Sequence, residues 1–388
     1  MFIQAALRRT TTTSSFSYIK VCSNGSRNFV TTRRLLEESK TKKPTHRVVF
    51  SGIQPTGVPH LGNFLGALLN WVKLQKTAHP EDELLFSIVG WHALTLPQDP
   101  AALRVSRQDM LAVLLAIGLD PERCTIFHQD ENPHHTELAW MLNCLTPVGW
   151  LKRMTTWKTR LAASRNANSE DEVDEGLLNT GLFTYPVLQA ADILAYKATH
   201  VPVGDDQTQH INLARDIADT FNRTFKAKKP LFPLPELVVT PTRRVLSLKD
   251  PSVKMSKSSP DLQSRILLTD TEAQIRTKIR GAVTDSIAGI TYDPVERRGT
   301  ANLLTILAAC SDEEVGQVAS RYADKGHGQL KADVADAVSE LLRKPRAEFE
   351  RLKGETAYLN AVAQSGAAKA RERSEVTMVE VRKRVGLL

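Results

Sequence analysis

Arg47-Val48-Val49-Phe50-Ser51-Gly52-Ile53 runs without a break into Gln54-Pro55-Thr56-Gly57-Val58-Pro59-His60-Leu61-Gly62-Asn63. The first seven residues read as a buried strand. Gln54 to Gly57 form a Gly/Pro turn, and a helical stretch is expected from about His60 to Lys76. Working outward, Leu84-Leu85-Phe86-Ser87-Ile88-Val89 predicts a second strand, followed by a helix over about Pro100 to Ile117. Thr125-Ile126-Phe127-His128 predicts a third strand, and His200-Val201-Pro202-Val203-Gly204 a further short one. The last leads into a helix whose apolar stripe is Ile211, Ala214, Ile217, Ala218 and Phe221. Alternating short strands and helices imply an α/β fold, a doubly wound parallel sheet with helices on both faces. Beyond about residue 270 strand signals end. Val334, Val338, Leu341 and Leu342 mark one amphipathic helix of an α-helical C-terminal region. Asn168 to Glu175 is acidic and polar and reads as a solvated loop.

The net charge of +8 suggests a nucleic-acid partner, but its distribution qualifies that. Residues 1–43 hold nine Lys/Arg against Glu37 and Glu38, a net of +7, so the rest of the chain is near +1. This leader lacks Asp and Glu through residue 36 and is rich in Ser, Thr and spaced Arg. That is the composition of a mitochondrial transit peptide, with a matrix destination. No run of eighteen apolar residues exists to cross a membrane. Cys22, Cys124, Cys144 and Cys310 are scattered, which predicts neither a disulfide framework nor a zinc site.

Two segments carry chemistry. In an open parallel sheet, ligands sit beyond the carboxyl ends of the strands. A helix start there is expected to offer free N–H groups to a phosphate. Gly62 lets the backbone approach a nucleotide, and His60 and Asn63 can donate to phosphate oxygens. About 190 residues downstream comes Lys254-Met255-Ser256-Lys257-Ser258, between Asp250-Pro251 and Ser259-Pro260. Two lysines three apart in a Pro-bounded loop can place two ammonium groups on a polyphosphate. A surface turn and an exposed basic loop are the plain alternatives for each segment taken alone.

Together, Pro59-His60-Leu61-Gly62-Asn63 and Lys254-Met255-Ser256-Lys257-Ser258 resemble the two signature motifs of class I aminoacyl-tRNA synthetases. From about residue 46 the chain is similar to the tryptophanyl-tRNA synthetases. The strings that carry this are Phe50 to Gly57, Tyr185-Pro186-Val187-Leu188-Gln189-Ala190-Ala191-Asp192-Ile193-Leu194, Val201-Pro202-Val203-Gly204-Asp205-Asp206-Gln207 and Ala282-Val283-Thr284-Asp285-Ser286. With the leader, the resemblance is to the mitochondrial form. It implies a Rossmann-type catalytic domain over 44–270 and an anticodon-reading helical region over 271–388. It also implies a homodimer, and ATP, tryptophan and tRNA(Trp) as substrates. Mg²⁺ is expected on the ATP phosphates, with no protein-held metal.

The resemblance also implies roles. Gln54, Pro55 and Thr56 match the first ATP-contacting turn, and His60, Gly62 and Asn63 the phosphate- and adenosine-binding signature. Gly204, Asp205, Asp206 and Gln207 match the loop that holds ribose and adenine. Val245 matches a backbone contact to adenine. Lys254 and Lys257 would neutralise the leaving pyrophosphate, with Met255, Ser256 and Ser258 in the same loop. Asp192 is the expected acceptor for the indole N–H. An acceptor placed for that lone donor discriminates against a ring that lacks it. Phe50, Gly52, Ile53, His92, Gln189, Val201 and Val203 complete the expected tryptophan pocket. Gln189 stands where many bacterial relatives carry Met, and Asp205 where Glu is common. Arg371, Arg373, Arg382, Lys383 and Arg384 are candidates for tRNA phosphates. The competing readings are a tyrosyl-tRNA synthetase, a synthetase-derived RNA-binding or splicing protein, and a small-molecule adenylyltransferase.

Overall fold

The computed structural model describes residues 46–165, 175–239, 244–257 and 259–388. The expected leader and nearly all of the acidic loop lie outside them. Strand β1 (Val48–Ile53) leads to α1 (Leu61–Asn63), a π-helical turn (Phe64–Leu68), α2 (Leu69–Thr77), β2 (Glu83–Ile88), α3 (Gly90–Ala93), α4 (Pro100–Ala116) and β3 (Thr125–His128). Helices α5 (His134–Asn143), α6 (Val148–Lys152), α7 (Thr156–Arg165) and α8 (Thr180–Leu194) precede β4 (His200–Val203), α9 (Thr208–Thr224) and β5 (Glu236–Val239). The chain ends in α10 (Glu272–Arg280), α11 (Arg298–Ser311), α12 (Val315–Ser320), α13 (His327–Lys353) and α14 (Thr356–Val385).

The sheet order is β3-β2-β1-β4-β5, and every neighbouring pair is parallel. Val49 lies opposite Leu84 on one side and His200 on the other. The chain winds outward from β1 through β2 and β3, then returns to pair β4 on β1's far side. That reversal opens a crevice at the carboxyl ends of β1 and β4. Four strands fall within about a residue of their expected positions. Strand β5 was not expected: it is short, and Pro230, Pro233 and Pro235 precede it, which reads as loop.

Successive strand residues enter opposite cores, so the strands are apolar throughout rather than alternating. Val49, Leu84, Phe86 and Ile88 pack with Leu61, Phe64 and Trp71 and with α4. The same core continues into Ile275, Leu304, Val334 and Leu342 of the C-terminal helices. Val48, Phe50, Leu85 and Phe127 face the other way, onto Leu138, Ile193, Ile217 and Met378. Residues 46–388 thus form one compact unit.

Helix α14 lies directly on the edge strand β3. A Cβ on Gly366 would fall 1.8 Å from the Ile126 carbonyl oxygen, so only glycine allows the approach. The arginines named as candidates for tRNA phosphates fasten this helix. Arg382 donates from Nε and Nη2 to Glu137 of α5, at 2.7 and 2.6 Å, and from Nη1 to Glu375 at 2.9 Å. Arg373 bonds Glu83 at 2.7 Å and the Tyr196 carbonyl at 3.1 Å. Arg371 donates to the Glu131 carbonyl, and Arg384 to Glu380 and the Lys229 carbonyl. Sequence charge alone did not show that carboxylates of the core meet these side chains.

Arg382→Ala should therefore lower stability by about 1.5–3 kcal/mol, the worth of charge-assisted bonds at a half-buried pair. Lys383→Ala, at an exposed position, should stay within about 0.5 kcal/mol. Urea unfolding of the two variants checks this, and equal effects would refute the docking role.

Candidate active site

The two signature segments meet beside β1. Leu61 N–H donates to the Ile266 carbonyl at 2.7 Å, and Leu268 N–H to the Pro59 carbonyl at 3.0 Å. His60 thus bridges antiparallel to Leu267, just beyond the lysine loop. His60 is the N-cap of α1. Its Nδ1 accepts the Asn63 N–H at 3.2 Å, and its own N–H donates to Asn63 Oδ1 at 3.3 Å. With Nδ1 occupied as acceptor, the ring hydrogen sits on Nε2. The Asn63 amide likewise keeps its NH₂ for a ligand. A Cβ on Gly62 would crowd the His60 ring at 3.0 Å, so glycine there makes room for the imidazole. The expectation of several free helix N–H groups needs correction: those of Leu61 and Asn63 are spent inside the chain. Side chains, together with the N–H of Gly62, are what the turn offers a phosphate.

His60 is 4% exposed. Burial first, then the nearby Lys257, Lys254 and Arg265, push its pKa down to about 4. It is a neutral donor at pH 7. Lys257 lies over the first turn: Nζ donates to the Gly57 carbonyl at 2.7 Å and to Thr56 Oγ1 at 3.4 Å. Burial lowers its pKa to about 8. Lys254 is exposed at the far side of the hairpin closed by its bridge to Leu246. Met255 differs from expectation. Its side chain is buried in the core and its N–H bonds the Val245 carbonyl at 3.1 Å, so it anchors the loop and only its backbone carbonyl is left for a nucleotide. Ser256 is half-buried, and Ser258 lies outside the described residues.

A cavity of about 270 Å³ opens at the β1–β4 crevice. It gathers Phe50, Gly52, Ile53, Gln54, His92, Gln189, Asp192, Val201, Val203, Gly204 and Gln207, all expected from sequence. Pro55 and Thr56 lie in the adjoining turn, and Asp205 to Gln207 form a 3₁₀ turn opening α9. The Asp205 side chain is outside what is described. Gln189 Nε2 donates to Gln207 Oε1 at 3.2 Å, and Gln207 Nε2 to Asp206 at 2.8 Å. The unusual Gln189 thereby ties the cavity to the loop expected to hold adenosine.

Asp192 is 1% exposed and accepts three bonds: Gln129 Nε2 at 2.7 Å and His135 Nδ1 at 2.7 Å on Oδ1, and His92 Nε2 at 2.8 Å on Oδ2. Burial pushes its carboxyl up, but the bonds from His135 and His92 prevail and hold it down to about 2. Oδ1 has both lone pairs engaged, whereas Oδ2 keeps one for a ligand in the cavity. Sequence reasoning did not single out Gln129, His135, Tyr185 or Arg160. Arg160 of α7 stacks over the Tyr185 ring at 4.5 Å, and both line the cavity. Tyr185 stood inside the quoted Tyr-Pro-Val-Leu-Gln string, but nothing marked its ring as pocket wall. A larger cleft of about 700 Å³ lies between Leu246 and α11 and touches none of the expected site residues. Among the described residues no group of three His, Cys, Asp or Glu could hold a metal ion.

Burial also lowers His128 to about 3 and His210 to about 4. For all three histidines the unfolded state takes its proton first, near 6.5. Stability should therefore fall as pH drops from about 6.5 towards 4, by up to about 1.4 kcal/mol per pH unit for each. Urea midpoints between pH 8 and 4.5 should show this, with a shallower slope in His60→Gln; an unaltered slope would count against its lowered titration.

The family model for tRNA synthetases class I (W and Y) matches residues 42–343. The mitochondrial tryptophan–tRNA ligase of Saccharomyces cerevisiae is 43% identical over 350 residues, covering 88% of this chain and 91% of the relative. The tryptophan–tRNA ligase of Caulobacter vibrioides is 45% identical over 341 residues, covering 87% and 95%. Among solved structures, tryptophanyl-tRNA synthetase from Mycoplasma pneumoniae superposes with a TM-score of 0.77 at 32% identity, covering 88% of this chain and 98% of that one. The Campylobacter jejuni enzyme, complexed with ADP and tryptophan, gives 0.70 at 30%, covering 88% and 100%. A fold wound about a β1–β4 crevice, a His60 turn joined to a two-lysine loop, and a match over most of the chain agree: this protein belongs to the class I tRNA synthetases of the tryptophan and tyrosine group.

Proposed function

We propose that this chain is an ATP-dependent tryptophan–tRNA ligase of the mitochondrial matrix. The observation that carries the reading is Asp192: an ionised carboxylate with one unused acceptor position, on the wall of a mainly apolar cavity at the sheet's crevice. An indole has one N–H on an otherwise apolar ring and fits that demand. Phe50, Val201 and Val203 pack the ring's faces, while Gln189 and Arg160 lie towards its polar end.

ATP enters along the Gln54–Thr56 turn and the Gly204–Gln207 loop, with its phosphates towards His60, Asn63, Lys254 and Lys257. Mg²⁺ arrives on those phosphates. The tryptophan carboxylate attacks the α-phosphorus; the new P–O bond forms as the bond to the β-phosphate breaks, giving tryptophanyl-adenylate and pyrophosphate. A carboxylate is already a nucleophile, so no protein base is needed. The work is positioning and stabilising charge as it moves to the leaving group. Neutral His60 donates from Nε2, and the two ammonium groups take up the charge. A ribose hydroxyl at the tRNA(Trp) terminus then attacks the activated carbonyl and AMP leaves. Residues 44–270 perform this chemistry and 271–388 read the anticodon. Residues 1–43 act as the mitochondrial address, in keeping with relatives that bear mitochondrial names.

A homodimer is supported by an exposed apolar patch. Trp91, Leu94, Trp140 and Leu188 surround Tyr185 on the outer wall of the cavity, with Trp140 73% exposed. Solvent exposure of such a contiguous patch marks a partner surface.

Pyrophosphate exchange tested with each amino acid, and aminoacylation of mitochondrial tRNA, check the reading. Exchange should depend on tryptophan, and Asp192→Asn should lower kcat/KM for tryptophan by about 10–100-fold through loss of one acceptor. Lys254→Ala should slow activation far more than it weakens tryptophan binding. Exchange driven by tyrosine instead would overturn the assignment.

The Lys257 pKa of about 8 adds a pH signature. The ammonium is present below that pH and lost above it, so kcat/KM for ATP should decline above about pH 8. At saturating ATP the bound polyanion favours the charged amine, and kcat should hold to higher pH. Lys257→Arg, which stays charged, should remove the decline in kcat/KM.

A further inference from the structure

The bonds around Asp192 continue away from the cavity. His135 of α5 donates to Asp192 from Nδ1, and its Nε2 lies 2.8 Å from Tyr196 Oη. Asn132 Nδ2 lies 3.1 Å from Tyr196 Oη and 2.9 Å from Ser374 Oγ of α14. Asn132 Oδ1 accepts the His134 N–H at 3.2 Å, which fixes the orientation of the amide. An amide nitrogen has two hydrogens and no acceptor capacity, so both of these bonds run outward from Asn132. Tyr196, receiving one, has its own hydrogen for His135 Nε2. His135 is then the neutral tautomer with its hydrogen on Nδ1, pointing at Asp192. Ser374, receiving the other, sits 2.8 Å from His134 Nδ1, 2.9 Å from the Ala370 carbonyl and 3.1 Å from the Arg371 carbonyl, any one of which takes its hydrogen.

Every side chain in this chain of donors is shielded. Asn132, His135, Tyr196 and Ser374 are fully buried. Tyr196 stacks on Phe50, the cavity wall, with ring centres 5.7 Å apart, and Phe127 lies 5.9 Å from the His135 ring. In such surroundings each bond is strong, and a reversed donor has no water to turn to. With the hydrogen on Nε2 instead, His135 would set a lone pair against Asp192 Oδ1. The carboxylate would rotate, and Oδ2 would leave the position facing the cavity.

We infer that His135, Tyr196 and Asn132 are positioning residues for amino-acid selection, anchored by Ser374 of the C-terminal helix. They aim the one free acceptor of Asp192 at the ring N–H of the substrate without touching it. The ligand class is an aromatic amino acid with a single ring donor, so the inference rests on the tryptophan reading. It also makes selection in the catalytic half depend on the seating of α14.

The test compares tryptophan with its benzothiophene analogue, in which sulfur replaces the ring N–H. In the full chain, Tyr196→Phe should raise KM for tryptophan about tenfold while KM for ATP stays within about twofold. Its preference for tryptophan over the analogue should fall by a similar factor. Ser374→Ala should do the same to a smaller degree. His135→Asn keeps an N–H near the Nδ1 position and should retain more of the preference than His135→Leu. Unchanged preference in Tyr196→Phe and Ser374→Ala would overturn the inference. In case the variants fold poorly, ¹⁵N-histidine NMR of the unsubstituted enzyme reads the tautomer directly: hydrogen on Nδ1 of His135 supports the relay, and hydrogen on Nε2 overturns it. Loss of tryptophan-dependent exchange in the unsubstituted enzyme would sink the ligase reading, while the tautomer would still decide the relay.

Discussion

Strand β1 is paired on both sides, with β2 along its whole length and with β4 at Val49. Because the chain leaves β1 in one direction and comes back to it from the other, no helix covers the carboxyl end of that pair. The crevice left there is the one place where a buried parallel sheet offers backbone and side chains to a ligand. Gln54 and Gly204 stand at its two lips, one after each strand. Phe50, Gly52, Val201 and Val203 reach it because strand geometry turns alternate residues towards the same face.

The two ends of the crevice have opposite electrical character. Towards the lysine loop stand Lys254, Lys257, Arg265 and a histidine that burial and its cationic neighbours keep uncharged. Towards α8 a single carboxylate is held ionised by side-chain donors. A polyanion and a ring N–H are thus sorted to their places before any chemistry begins. Preorganised charge of this kind needs no reorganisation when the leaving group develops its own.

The C-terminal helix shows what charge composition leaves undecided. Five basic residues between Arg371 and Arg384 look like a nucleic-acid surface, yet Arg373 and Arg382 hold carboxylates of the catalytic half, and Arg371 holds a carbonyl there. With Gly366 pressed on β3, they make α14 part of the same unit as the sheet. The buried line from Ser374 to Asp192 follows from that seating.

The sequence by itself determined the strand–helix alternation, four of the five strands among the described residues, and the turn and lysine loop. These are local: an apolar run of strand length, a Gly/Pro turn or a His-Leu-Gly-Asn string depends only on neighbours in the chain. It also determined most of the positions that line the cavity from β1, α8 and β4, through the resemblance those strings carry, but not Tyr185. Strand β5 escaped because proline masked it. What only the tertiary structure decided is partnership across long separations. His135 and Asp192 are 57 residues apart and Asn132 and Ser374 are 242, and nothing in either segment announces the other. Met255 as anchor, Arg382 as fastener and His60 as a neutral donor are likewise consequences of burial and of what stands opposite. A side chain's charge state and hydrogen-bond direction are set by its surroundings, which packing supplies and residue order does not.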